Sequence, residues 1–147
     1  MQYTQSIRQF VPAQSIPEIT LRHPRLLIIT DSRERLNDLR TILNIKGIEV
    51  TGTTDWDEFN RAKNVSHDVV VIDVGPEKLP QVLQELRERS ANSNASILVE
   101  VGSITGASHL AGVLPRYRAM PCGIAELRSL TRNRLFKMQT RQAKSVL

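Results

Sequence analysis

The sequence alternates short apolar runs with segments of helical periodicity, and this alternation constrains the fold more than any other feature. Each run is aliphatic and ends close to a polar or turn-forming residue, which is typical of strands buried on both faces. Between the runs, leucines recur at intervals of three and four residues, as on the buried side of amphipathic helices. Strands are therefore predicted at residues 26–29, 48–51, 69–72, 97–101 and 117–120, the last of them stopping at Pro121.

Five strands that alternate with five helices predict an α/β domain, in which a parallel sheet is covered by helices on both faces. In such sheets the functional crevice lies at the carboxyl ends of the strands. Asp73 follows the most apolar run and is the strongest candidate there. Asp31 follows the first run, but either Asp31 or Ser32 could be the N-cap of the next helix, and Glu34 lies three residues after Asp31, as in a capping box.

Length and composition fit one domain of this kind. The chain has 147 residues and a net charge of +5. We expect a flexible arm at residues 1–24, where glutamines and prolines concentrate, a domain at 25–138 and a basic tail at 139–147. No apolar run approaches the roughly 20 residues that span a bilayer. The start of the chain lacks the apolar core of a secretory signal, so we expect a cytoplasmic protein with no membrane partner.

Several chemical classes find no support in the sequence. Cys122 is the only cysteine, and the three histidines lack the spacing of zinc ligands. No nucleophile, base and acid are arranged as in a hydrolase. We therefore expect that the protein is not an enzyme.

The residues at the predicted strand ends resemble those of response-regulator receiver domains. The motifs that carry the resemblance are Leu-Leu-Ile-Ile-Thr-Asp ending at Asp31, Val-Val-Val-Ile-Asp ending at Asp73, Ile-Leu-Val-Glu-Val ending at Val101, and the pair Met120 and Pro121. The resemblance covers residues 25–138. It implies a flavodoxin-like, three-layer α/β/α sandwich with a five-stranded parallel sheet in the order 2-1-3-4-5.

The resemblance also implies roles for individual residues. Asp73 matches the aspartate that accepts a phosphoryl group, and Asp31 matches one acid of the pair that binds a divalent cation. The resemblance thus implies a Mg²⁺ site at Asp31 and Asp73. The second acid is replaced by Ser32. The family's hydroxyl position falls on Val101, with Ser103 close enough to substitute for it, and its lysine position falls on Met120.

These departures predict a degenerate member of the family, a pseudo-receiver. Without the lysine and the second acid, a phosphorylated Asp73 lacks the positive charge that would neutralise it. We expect a module of two-component signalling or a phosphorelay that binds a protein partner, such as a histidine kinase or an output protein. A homodimer through the last two helices and the strand between them is a further expectation.

Two alternatives remain open at the level of sequence. The first is a working receiver that is phosphorylated on Asp73. The second is a nucleic-acid-associated module, because six basic residues and only one acid lie in the last helix and tail. They are Arg128, Arg132, Arg134, Lys137, Arg141 and Lys144, with Glu126 as the acid.

The paired carboxylates lead to one energetic expectation. If Asp31 and Asp73 lie side by side with no lysine between them, they repel each other. On this basis Asp73→Asn should be neutral or mildly stabilising.

Overall fold

The computed structural model describes residues 22–104 and 112–146, with side chains described as far as residue 102 and from 112 to 137. Almost all of the predicted N-terminal arm therefore lies outside the described residues. The strands are β1 (Arg25–Thr30), β2 (Glu49–Thr53), β3 (Val69–Asp73), β4 (Ser96–Glu100) and β5 (Ala119–Cys122). The helices are α1 (Arg33–Ile42), α2 (Trp56–Ala62), α3 (Leu79–Glu88), α4 (Val113–Arg116) and α5 (Ile124–Val146).

The five strands form one parallel sheet in the order β2-β1-β3-β4-β5, which confirms the predicted topology. Side chains alternate between its two faces, as the pleat requires. One face packs Leu27, Ile72 and their neighbours against Phe59 of α2 and Leu83 of α3. The other face packs against α1 and α5, through Leu26, Ile28, Val69, Val71, Leu36, Leu39, Leu127 and Leu135. Helices thus cover both faces of the sheet, as in a three-layer sandwich.

Three local predictions need correction. Pro121 lies within β5 instead of ending it, because an edge strand pairs on one side only and tolerates a residue without an N–H. The N-cap of α1 is Ser32, whose hydroxyl accepts a hydrogen bond from the Arg35 backbone N–H at 3.1 Å. Of the two predicted cap residues Ser32 is confirmed, and Asp31 and Glu34 do not form the predicted capping box. The last helix continues to Val146, so the segment assigned to a tail is helical through most of its length.

A buried polar cluster joins the two loops at the amino-terminal end of the sheet. The Asn92 side chain is almost fully buried and accepts a hydrogen bond from the His67 backbone N–H at 2.7 Å. Its amide donates to the carbonyl oxygens of Lys63 and Val65 at 2.9 and 3.0 Å. The His67 ring nitrogen Nδ1 lies 3.1 Å from Asn92 Oδ1, so a neutral ring protonated at Nδ1 completes the cluster.

None of the described helices has the length and apolar character needed to cross a membrane.

We expect this cluster to make stability depend on pH. Burial lowers the pKa of His67 below its usual value, so the unfolded chain takes up a proton at a pH where the folded ring stays neutral. Because the unfolded state then binds more protons, the free energy of unfolding must fall as the pH drops below about 6.5. Urea denaturation between pH 7.5 and 5 measures this slope.

His67→Asn provides the comparison, because the asparagine amide can occupy the place of Nδ1 without titrating. This variant should lose less stability between those pH values than the wild type does. His23→Asn, at an exposed histidine, is the control and should retain the wild-type slope. Equal slopes for His67→Asn and the wild type would contradict the prediction.

Candidate functional site

The strand register brings four side chains to one level at the carboxyl end of the sheet. Thr30 pairs with Asp73 across β1 and β3, and Glu100 pairs with Cys122 across β4 and β5. Ile72 pairs with Val99, so Glu100 is the next residue beside Asp73. All four are buried. The crevice predicted from the sequence is therefore lined by two neighbouring carboxylates.

Asp73 is engaged by an arginine from α1. The Arg35 Nε donates a hydrogen bond to Asp73 Oδ2 at 2.8 Å, and Arg35 Nη2 donates to the same oxygen. The Asp73 side chain is only 3% exposed, whereas that of Arg35 is 46% exposed. A buried carboxylate requires a partner of opposite charge, and Arg35 provides it from the first turn of α1. The hydrogen bond with Asp73 raises the pKa of Arg35, which keeps the guanidinium charged.

Glu100 places a second carboxylate beside this pair. One of its oxygens, Oε2, accepts a hydrogen bond from the Gly102 backbone N–H at 2.9 Å. The other oxygen, Oε1, lies 3.9 Å from Arg35 Nη2. A single guanidinium thus faces two buried carboxylates, Asp73 at hydrogen-bonding distance and Glu100 slightly farther away.

Asp31 faces away from this pair, toward the loop that follows β3. Its Oδ1 accepts a hydrogen bond from Lys78 Nζ at 2.9 Å, and its Oδ2 accepts one from the Gly75 backbone N–H at 2.8 Å. The hydrogen bond to Asp31 raises the pKa of Lys78. Asp31 and Asp73 therefore each have a cationic partner of their own. The expected repulsion assumed two carboxylates without cationic partners, so it does not apply to this arrangement.

Two other predicted positions, Val101 and Met120, are not level with Asp73. Val101 begins a short 3₁₀ helix, Val101–Ile104, so the residue level with Asp73 is Glu100 and not Val101. Met120 pairs with Leu98, two residue pairs before the level of Glu100 and Cys122, and its sulfur lies 3.4 Å from Arg134 Nη2. The side chain of Ser103 lies outside those described, and its predicted role stays a prediction.

The carboxylates as arranged do not fit a divalent cation. Arg35 donates two hydrogen bonds to Asp73 Oδ2, and Lys78 and a backbone N–H occupy both oxygens of Asp31. Within the described ranges, no group of three acidic, histidine or cysteine side chains could hold a metal ion. The predicted assignment of Asp31 and Asp73 to a Mg²⁺ site would require both cationic side chains to move.

The observed pairing reverses the expected effect of Asp73→Asn. The amide oxygen can still accept from Arg35, but the charge that balances the guanidinium is lost. We now expect the variant to be less stable by about 1 kcal/mol. Thermal or urea denaturation measures the difference, with Asp57→Asn on the exposed surface of α2 as the control. A variant as stable as the wild type would show that the pair contributes nothing.

The sequence analysis did not identify two residues of this site, Arg35 and Glu100. For Arg35 the sequence does contain an indication. Arg35 lies in the first turn of α1, where the helix dipole favours acidic side chains, so a basic residue there indicates another partner. Glu100 ends an otherwise apolar strand in the same way as Asp73 does. Its importance depends on the register between β3 and β4, which the apolar pattern does not determine.

The fold is similar to that of two solved structures. A response regulator from Thermotoga maritima superposes with a TM-score of 0.56 at 14% identity, over 78% of this chain and 98% of that chain. An adenylate cyclase from Rhodopirellula baltica superposes with a TM-score of 0.63 at 17% identity, over 84% of this chain and 96% of that chain. The sequence matches no protein-family model and no functionally curated protein. At these identities the likeness shows a receiver-like fold.

Proposed function

We propose that this chain is a pseudo-receiver, a regulatory module that binds a protein partner and neither catalyses a reaction nor depends on phosphorylation of Asp73. The observation that carries the proposal is the guanidinium of Arg35 on the Asp73 carboxylate. A phosphoacceptor must present a carboxylate oxygen to the phosphoryl donor and a cation to the developing charge. Here Arg35, a side chain of the same domain, supplies the positive charge and donates two hydrogen bonds to Oδ2 of the carboxylate.

The neighbours of Asp73 support the same proposal. A phosphoryl group on Asp73 would carry a charge of about −2 beside the buried carboxylate of Glu100. The receiver family places a hydroxyl and a lysine near that phosphoryl group, and this chain has Glu100 level with Asp73 and Met120 before Pro121. The phosphoryl group and the Glu100 carboxylate would be like charges on buried neighbouring residues. Such charges repel strongly, so the phosphorylated state would be unfavourable.

Two of the six basic residues of α5, Arg128 and Arg134, make hydrogen bonds within the domain, and this weighs against the nucleic-acid alternative. Arg128 Nη1 donates to the carbonyl oxygens of Ile42 and Asn44 at 3.1 and 2.8 Å. Arg134 donates to the Ser96 hydroxyl at 2.9 Å. These two side chains bond α5 to the rest of the domain. They therefore contribute to packing, and not only to the positive charge of the helix. A protein partner, of the kind that a response regulator has, remains the proposal.

Binding of a phosphoryl mimic tests the proposal. Beryllium fluoride with Mg²⁺ mimics an aspartyl phosphate and raises the melting temperature of a receiver that can hold it, because ligand binding stabilises the folded state. We expect no rise for this chain, and a clear rise for a phosphorylatable receiver treated in parallel. A saturable rise that disappears in Asp73→Asn would show that the site is a working switch.

A further inference from the structure

A second crevice lies on the opposite side of β1 and β3 from the Arg35 pair. It is bounded by α2 and α3 and has a volume of about 350 Å³, within the range of small-molecule sites. Its floor is apolar and consists of Ile29, Val74, Phe59 and Val82. The crevice opens at the carboxyl ends of the two strands where the order of the sheet reverses, which is where open α/β sheets bind ligands.

An exposed aromatic side chain forms one wall. Trp56 is the only tryptophan in the chain and is 38% exposed. Its ring centroid lies 5.1 Å from that of Phe59, which is almost fully buried beneath it. Phe59 therefore supports the indole from within the core. A supported, half-exposed indole offers a flat face on which a planar group can stack.

The polar groups of the crevice favour a cation. Its ionisable lining residues are Asp31, Asp55 and Lys78. Lys78 is already paired with Asp31, so Asp55 leaves the crevice with a net negative charge. Asp55 uses Oδ1 to cap α2 by accepting from the Glu58 backbone N–H at 2.8 Å, and a carboxylate can accept further bonds. A positive charge between Asp55 and the face of Trp56 would interact favourably with both.

We propose that the crevice between α2 and α3 binds a small planar aromatic molecule that carries a positive charge. The ring stacks on Trp56 over the apolar floor, and the charged group binds Asp55. This site does not involve Asp73 or Arg35, so the proposal stands or falls independently of the pseudo-receiver assignment.

Titration with 2-naphthylmethylamine, which is protonated at neutral pH, tests the site, with 2-naphthalenemethanol as its uncharged analogue. The indole N–H of Trp56 gives a single NMR signal because no other tryptophan is present. We expect a saturable shift of this signal with a dissociation constant on the order of 1 mM for the amine. The alcohol should bind about threefold to fivefold more weakly.

Two variants separate charge from stacking. Asp55→Asn keeps the helix cap, since asparagine and aspartate cap equally well, but it removes the charge. It should weaken the amine about threefold to fivefold and leave the alcohol unchanged. Trp56→Leu, followed by ligand-detected NMR, should weaken both probes about tenfold. Glu49→Gln, at the opposite end of the sheet, removes a negative charge far from the crevice and should change neither affinity.

Either of two results would overturn the proposal. A shift of the Trp56 signal that rises linearly and never saturates would show that there is no site. An amine affinity in Asp55→Asn equal to that of the wild type would show that the charge plays no part in recognition.

Discussion

Arg35→Ala is expected to lower the free energy of unfolding by about 2 kcal/mol near neutral pH. The substitution leaves the Asp73 carboxylate buried without Arg35 as its cationic partner, and it also removes a positive charge that lies 3.9 Å from Glu100. Removing one partner of a fully buried ion pair costs roughly 3 to 5 kcal/mol. The loss expected for Arg35→Ala lies below that range because the Arg35 side chain is half exposed, so water can reach part of the vacated site.

Urea denaturation of matched variants measures this effect. Arg33→Ala, two residues earlier in α1, is the control, because Arg33 is 64% exposed and lies 3.4 Å from Glu58 at the surface. Its stability should stay close to that of the wild type. Arg35→Lys should be intermediate, since an ammonium is a point charge and lacks the two N–H groups that reach Asp73 Oδ2. If Arg35→Ala is as stable as Arg33→Ala, the buried pair does not stabilise the fold.

Arg87→Ala is expected to cost still more, about 3 kcal/mol. The Arg87 guanidinium lies at the end of α3 and donates to four backbone carbonyl oxygens. Two belong to the loop before β4, Ser93 and Ala95, both at 2.8 Å. The other two belong to the turn before β5, Tyr117 at 2.7 Å and Arg118 at 3.0 Å. Burial lowers the pKa of Arg87 to about 10, so the group remains charged at neutral pH.

No other side chain of similar shape could replace these contacts. Removing the guanidinium takes one donor from each of four carbonyl groups, although Ser93 also accepts from Arg118 Nη2 at 3.1 Å, and it frees the turn at Arg118, which has a backbone φ of 55° in the left-handed region. Arg87→Lys should recover less than half of the loss, because an ammonium cannot reach two loops at once.

Arg89→Ala is the matched control for Arg87→Ala in thermal denaturation. Arg89 makes an exposed i,i+4 contact with Glu85, and its removal should change the melting temperature only slightly. A melting temperature for Arg87→Ala within the range of the control would contradict the role of Arg87 as a clamp between the two loops.

The sequence carries most of the fold because the strands of this sheet are buried on both faces. Runs such as that of β3 are wholly apolar and therefore easily distinguished from amphipathic helices. The end of the weak edge strand β5 was harder to predict, since its pairing with β4 accommodates Pro121. The extension of α5 to Val146 was missed because its last part is polar, and a polar helix resembles a tail in composition.

The candidate site was predictable only in part. Asp73 was found because an acid at the end of an apolar strand is conspicuous. Its partner was not, since Arg35 is 38 residues away and meets Asp73 only through the packing of α1 on the sheet. The same limitation applies to Asp31, which bonds with Lys78 and not with the neighbouring strand end. Contacts between side chains of distant segments depend on register and helix rotation, neither of which periodicity determines.

The most direct test of the pseudo-receiver proposal is chemical labelling of Asp73. The chain is incubated with acetyl phosphate and Mg²⁺ beside a phosphorylatable receiver, and its intact mass is measured. With Arg35 on the carboxylate and Glu100 beside it, we predict that the mass of this chain does not change while the control gains one phosphoryl group. A stoichiometric gain of one phosphoryl group, absent in Asp73→Asn, would contradict the proposal.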